Sequence, residues 1–208
     1  MKKFANVFRC IALALLVSML ASACGAVRFS RVGELKTETH LVDLGAATSA
    51  RVRVEMNFGE LKVDSGEEKL LQGSFNFNVP DWQPQVSYEV DGSLGSLVVS
   101  QPEEDTSLII RDGQNRWDLR LSKGVPIELE ISTGAGISEL NLSTLNLTSL
   151  KIETGAGNGT IDLSGGWEHD LTATIQGGVG NVTVLLPRGM GVRVDVKTGI
   201  GSVETSGL

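Results

Sequence analysis

The chain has 208 residues, of which 25 are Gly and five Pro, and a formal net charge of −7 at pH 7. So acidic a chain is a poor partner for nucleic acid or an anionic lipid surface, and two cysteines cannot build a disulfide framework. Many glycines beside few prolines fit tight turns between ordered strands better than a disordered tail.

In chain order, Lys2, Lys3 and Arg9 precede an apolar stretch from Ile11 to Leu20 and the small residues Ala21-Ser22-Ala23. This predicts residues 1–23 as an export signal helix, too short to span a bilayer comfortably. Ala21-Ser22-Ala23 suits general signal peptidase, while Leu20 to Cys24 resembles a bacterial lipobox with Ala21 where Leu is usual. A mature chain beginning at Cys24 keeps one cysteine, because Cys10 leaves with the signal, so no internal disulfide can form. A lone thiol at the cleavage point is best explained as a lipidation site, which predicts an extracytoplasmic protein anchored by lipid to the bacterial membrane. A secreted soluble protein with an incidental Cys24 is the alternative. Cleavage removes three of the 18 basic residues and none of the 25 acidic ones, leaving a charge of about −10. The remaining 185 or so residues can bury one sizeable core or two small ones.

Residues 24–38 lack a clear period and are expected to form a tether, with an ordered first strand as the alternative. From Ala50 onward the period is two. Val52, Val54 and Met56 alternate with polar residues, as do Leu61 and Val63, and Leu71 to Val79, Val86 to Val90, Leu97 to Val99 and Leu108 to Ile110 continue in this style. No stretch after the signal carries a sustained helical stripe with caps, so the chain is predicted all-β, with residues 39–208 as one domain.

From Val125 the pattern repeats every 21 to 23 residues or so. Each unit holds a run of alternating apolar residues, a Gly-X-Gly phrase and a second run. The phrases are Gly134-Ala135-Gly136, Gly155-Ala156-Gly157, Gly178-Val179-Gly180 and Gly199-Ile200-Gly201. A fixed period of this size predicts a stacked β-coil solenoid, β-helix-like, with irregular coils to about residue 124 and regular coils over 125–208. Ile127, Leu129 and Ile131, then Leu140 and Leu142, are expected to face inward, as are Leu150, Ile152, Ile161 and Leu163 in the next coil. Leu171, Ala173, Ile175, Val182, Val184 and Leu186 follow, then Val192, Val194, Val196 and Val203, while Thr172, Thr174, Arg193 and Asp195 face outward. The paired glycines are expected at tight corners where a side chain would clash, with the middle residue plugging the coil. Phe58-Gly59-Glu60-Leu61-Lys62-Val63 reads as a degenerate earlier copy.

The string Asn78-Val79-Pro80-Asp81-Trp82-Gln83-Pro84, followed by Val86 to Val90 and Gly92, resembles the toast-rack N-terminal domain of bacterial envelope proteins. Asn115 to Leu121 with Val125-Pro126, and Leu147 to Gly157, are similar too. The resemblance runs from about Glu38 to Gly201. It implies kinship with candidate adhesins built of stacked β-coils and, more distantly, with the C-terminal domain of cell-wall-active antibiotic response proteins. It implies no reaction and no catalytic residue. Family members commonly continue through a further coil, so the end of this sequence implies an exposed last coil or a fragment. An exposed coil end invites edge pairing, hence possible self-association.

Candidate chemistry is sparse. His40 and His169 are far apart in sequence, and one mature Cys gives no zinc or iron spacing, so no metal or cofactor is expected. Gly155-Ala156-Gly157-Asn158-Gly159 superficially resembles a phosphate-cradling loop, but a strand rather than a helix follows it. Thr160 stands where a calcium-binding nonapeptide repeat needs Asp. Glu139, Asp162 and Asp195 are scattered, unlike the clustered carboxylates of polysaccharide-cleaving β-helices. The sequons at Asn141, Asn146, Asn158 and Asn181 reflect an outer face rich in Asn, Ser and Thr, able to bond sugars or another strand. Trp82, Tyr88, Trp117 and Trp167 either form an interaction patch or fill the core beneath the loops. The sequence therefore favours a non-catalytic envelope module, adhesin-like or a scaffold, with a protein or polysaccharide partner. A sensory or regulatory part of an envelope-stress response is the alternative, and a polysaccharide-binding or polysaccharide-cleaving β-helix the third reading.

Overall fold

A computed structural model describes residues 32–66, 68–102 and 112–193. The signal, Cys24, Leu108 to Ile110, and the Gly199-Ile200-Gly201 phrase with Val194, Val196 and Val203 lie outside the described residues. Nine strands among the described residues form one open sheet, and the all-β expectation holds there. They are β1 (Lys36–Val42), β2 (Ser49–Gly66), β3 (Leu71–Phe77), β4 (Gln85–Asp91), β5 (Leu94–Ser100), β6 (Asn115–Ser122), β7 (Ile127–Asn141), β8 (Leu147–Asp162) and β9 (Thr172–Leu185). A single 3-10 turn, Pro80–Trp82, stands between β3 and β4. The expected tether ran to Glu38, but order begins earlier. The Gly33 amide donates to the Asn78 carbonyl at 2.7 Å, and Lys36 already pairs with Phe77.

The long strands β2, β7, β8 and β9 run parallel and in register through their glycine phrases. Gly59, Gly136, Gly157 and Gly180 form one ladder; Phe58, Ala135, Ala156 and Val179 form the next. The degenerate copy at Phe58-Gly59 is thus the first member of the stack. Burial alternates along β2, β7 and β8 and changes phase across the corner. In β7 the buried residues are Ile127, Leu129 and Ile131 before it, and Ser138 and Leu140 after it. The chain turns there, so both halves of a strand serve the same core. Val52, Leu129 and Leu150 stack in one column of it, Val54, Ile131 and Ile152 in another, Val63, Leu140 and Ile161 in a third. Each is almost wholly buried, which stabilises the fold by about 1.5–3 kcal/mol per side chain.

Ala135, Ala156 and Val179 do not plug the interior as expected; all three are exposed, Val179 by 75%. The glycines explain this. A Cβ on Gly155 would strike the Gly134 carbonyl, and one on Gly157 would strike the Gly136 carbonyl. The glycines give up their side chains so that successive corners can touch backbone to backbone, which leaves the middle residue on the convex side. The concave side is filled by flanking residues, Met56 and Leu61 in β2 and Ser138 in β7.

β3 to β6 interrupt the repeat, and two of them return to pair with β2. β5 pairs in parallel with its first half, from Ser49↔Leu94 to Glu55↔Ser100. β6 pairs in parallel with its second half, from Glu60↔Arg116 to Gly66↔Ser122. Together β5 and β6 act as one tier, with Gln101 and Asn115 beneath the first corner in place of glycines. Antiparallel strands then extend each half: β4 on β5, and β3 followed by β1 on β6.

Candidate functional site

Where the first corner has no glycine corner beneath it, side chains substitute. Gln101, only 5% exposed, accepts hydrogen bonds at Oε1 from the Asn57 amide (3.1 Å), the Phe58 amide (3.4 Å) and Asn115 Nδ2 (3.2 Å). Asn115 Nδ2 also donates to the Phe58 carbonyl at 2.9 Å, and Asn115 Oδ1 accepts from Trp117 Nε1 at 2.9 Å. Buried backbone groups need partners, and these amides supply them. Asn78 makes a second clamp. Its Nδ2 donates to the Asp112 carbonyl and its Oδ1 accepts from the Gln114 amide, holding Asp112 in a left-handed turn with φ 65°. The Asn78 and Asn115 strings noted in the sequence thus close the lower end of the stack. Gln101 went unnoticed because its backbone partners lie 43 and 44 residues away.

The aromatic residues belong to the same closure. Trp117 is fully buried and meets Phe75 edge to face, with ring centroids 5.4 Å apart. Trp82, 3% exposed, meets Phe58 edge to face at 4.4 Å. Among the described residues, Trp82 Nε1 is the one buried side-chain donor without a hydrogen-bond partner. Tyr88 packs against the core, lies over Gly95 and donates its hydroxyl to the Leu44 carbonyl at 2.7 Å; burial raises its pKa above the ordinary value. Trp167 packs against the core and donates to the Leu163 carbonyl. Burial thus takes Trp82 and Trp117 out of any surface patch with Tyr88 and Trp167: a fully covered ring has no face to offer a partner.

Two outward faces remain. On the first halves of the long strands, Arg51 meets Glu128 at 2.8 Å, and Glu130 lies between Arg53 at 3.2 Å and Lys151 at 2.9 Å. Lys151 also meets Glu153 at 3.1 Å. The Lys151 hydrogen bond holds the Glu130 carboxyl below its ordinary range, with Arg53 assisting and burial opposing. Hydrogen bonds to Glu130 and Glu153 raise Lys151 in turn. The charges are mutually matched, so this zipper fixes strand register more than it offers a ligand an unpaired ion.

The second halves of the long strands join β6, β3 and β1 into a seven-strand surface. One outward row runs Thr39, Ser74, Asp118, Lys62, Glu139, Thr160, Thr183; the next runs Thr37, Asn76, Arg116, Glu60, Ile137, Asn158, Asn181. Thr37 bonds Asn76 at 2.7 Å, Asn141 bonds Asp64 at 2.6 Å and Asn181 bonds Asn158 at 3.3 Å, so the side chains are held in rows. At one end of this face, Leu41, Ser65, Gly66, Gln72, Lys69 and Arg120 line an open groove of about 430 Å³. Lys69 there pairs with Asp43 at 2.5 Å.

Among the described residues no three or more His, Cys, Asp or Glu side chains come together as a set that could hold a metal ion. His40 sits on β1 beside Glu38 and Phe75, and His169 lies in the loop before β9. Asp162 lies across from Asn141 and Leu185 in the ladder, and its Oδ1 accepts from the amide of Ser164. Glu139 lies between Lys62 and Thr160, and Asp195 falls outside the described residues.

The fold and its faces define an all-β domain of in-register parallel strands, closed at one end by amides and aromatics and presenting ordered polar rows. Residues 31–185 match the family described as "N-terminal domain of toast_rack, DUF2154". The chain belongs to this family. It is similar, at 31% identity and a TM-score of 0.73, to a candidate cell adhesion protein from Clostridium sporogenes, with 76% of this chain and 74% of that one covered. A candidate adhesin from Parabacteroides distasonis aligns over 74% of this chain and 66% of its own, at 12% identity and a TM-score of 0.35. No curated protein matches the chain.

Proposed function

We propose that the protein is a non-catalytic, adhesin-like interaction or scaffold module of the bacterial cell envelope, a β-solenoid held outside the cytoplasm by lipid on Cys24. The seven-strand polar face carries this reading. Six inter-strand spacings and about six residues of strand give it an area on the order of 600 Å². That approaches the ~800 Å² each partner buries in a standard protein interface, and the Thr37–Asn76 and Asn158–Asn181 pairs on it are already hydrogen-bonded to each other. Family membership and the likeness to the Clostridium sporogenes protein support the same class. Among the described residues no helix is long and apolar enough to cross a membrane.

The test is chemical cross-linking and capture with the full-length protein in its native membrane. A variant carrying Asn158→Lys, Thr160→Lys and Thr183→Lys should lose the captured partner while its circular dichroism is unchanged. Ser149→Lys with Thr172→Lys, on the other face, should keep it. Equal capture by both variants refutes the assignment of the face, and intact-mass detection of an unmodified Cys24 refutes the lipid anchor.

A further inference from the structure

A third outward row of the seven-strand face runs Leu41, Gln72, Arg120, Asp64 across β1, β3, β6 and β2. Its first three members, with Ser65, Glu68 and Lys69, line the open groove of about 430 Å³, which has the volume of a small-molecule site. The other cations around it are matched. Arg116 meets Glu60 at 3.5 Å and Lys62 meets Asp64 at 3.4 Å, while Lys69 is paired with Asp43. Asp64 stands beside Arg120 in the ladder, but its carboxylate is taken up by Lys62 and by Asn141 at 2.6 Å. Among the described residues the exposed side chains of Arg120, Gln72 and Glu68 have no ion pair or hydrogen bond. Next to Gln72 lies Leu41, an aliphatic side chain 59% exposed.

We propose that this groove binds a short zwitterionic peptide, with Arg120 and Gln72 donating to its free carboxylate and Leu41 covered by its aliphatic side chains. A guanidinium is the side chain whose planar fork matches a carboxylate with two parallel hydrogen bonds. Gln72 is the direct ladder partner of Arg120, one strand away, so its amide can donate to the same group. Neighbouring strands stand about 4.8 Å apart, so the step from Arg120 across Gln72 to Leu41 is about 10 Å, the length of three extended residues. The charges select the class. With Lys69 neutralised by Asp43, the groove carries one free cation, Arg120, and one free carboxylate, Glu68. Glu68 opposes a second negative charge on the ligand and favours an ammonium, which disfavours an acidic polysaccharide or a phosphate headgroup. Leu41 offers a sugar neither a hydrogen bond nor a ring face, but it suits a methyl or branched side chain. The groove is separate from the Asn and Thr rows of β8 and β9, so this site stands or fails independently of the partner captured there.

Amide chemical-shift titration of the full-length protein with trialanine tests the proposal. Saturable shifts should centre on Leu41, Gln72 and Arg120. Trialanine amide, which lacks the carboxylate, should bind at least about tenfold more weakly, and Arg120→Gln should weaken trialanine by a similar factor. Arg116→Gln, which removes a matched cation from the same strand, should leave the affinity unchanged, as should the triple variant Asn158→Lys, Thr160→Lys and Thr183→Lys. No saturable shift up to about 20 mM trialanine overturns the site, and so does equal affinity for trialanine and its amide or an affinity untouched by Arg120→Gln. Glucuronate binding as tightly as trialanine overturns the choice of a peptide in favour of an acidic sugar.

Discussion

Gly157→Ala isolates what holds the stack together. Gly157 has φ +143°, a conformation that costs a residue with a Cβ about 1–3 kcal/mol. The added methyl would stand 2.9 Å from the Gly136 carbonyl carbon and 3.0 Å from its nitrogen, and closer still to its oxygen. Ordinary contact begins near 3.4 Å, so β8 must move away from β7 by at least several tenths of an ångström. Overpacking of this kind costs a further 1–3 kcal/mol or so. Together the loss is about 2–6 kcal/mol, centred near 4 and toward the top of the range for single substitutions. In a domain of this size that corresponds to a Tm lower by about 10 °C. Gly159→Ala is the matched control two residues on. Its nearest neighbour is the Ser138 carbonyl oxygen at 3.9 Å and its φ is not positive, so it should be neutral or stabilise slightly. Urea and thermal unfolding of both variants give the answer. Equal losses would refute the claim that backbone contact at the corner requires glycine.

Gln101→Leu should cost about 2–3 kcal/mol in urea unfolding, because it strips the Asn57 and Phe58 amides of their acceptor while conserving most of the volume. Glu130→Gln should lower the Tm at pH 7 by only about 1–3 °C, less in high salt, since its partners are substantially exposed. Because the folded state lowers the Glu130 pKa from 4.5, its contribution is full above that value. It vanishes as pH falls through the folded pKa, so the Tm difference between wild type and Glu130→Gln should close on acidification. Tyr88→Phe removes the bond to the Leu44 carbonyl and should cost about 1 kcal/mol. In the wild type, spectrophotometric titration should place Tyr88 ionisation above 10.0, with its contribution full below that value and lost as pH rises through the raised pKa.

The strand content, the inward columns of the regular stack and the glycine corners were legible because they are local. A period of two, the Gly-X-Gly phrase and its recurrence are all written within one or two turns of the repeat; β2, β7 and β8 follow the period, and β7 and β8 carry the phrase. The same locality misled at the corner. Alternation by itself cannot tell which way Ala135, Ala156 and Val179 point once two glycines change its phase, and only the approach of adjacent backbones sends them outward.

What the sequence alone determined, then, was the two-residue strand period, a repeating corner and an acidic balance. The tertiary structure decided that β5 and β6 return to pair with β2 as a split tier, that Gln101 and Asn115 complete its corner, and that Trp82 and Trp117 are core. It also joined Thr37, Thr39, Ser74 and Asn76 to the Asn and Thr rows of the regular stack in one surface. The reason is distance along the chain. Arg53 and Glu130 meet across 77 residues and Phe58 and Asn115 across 57, and no local period carries a pairing of that reach.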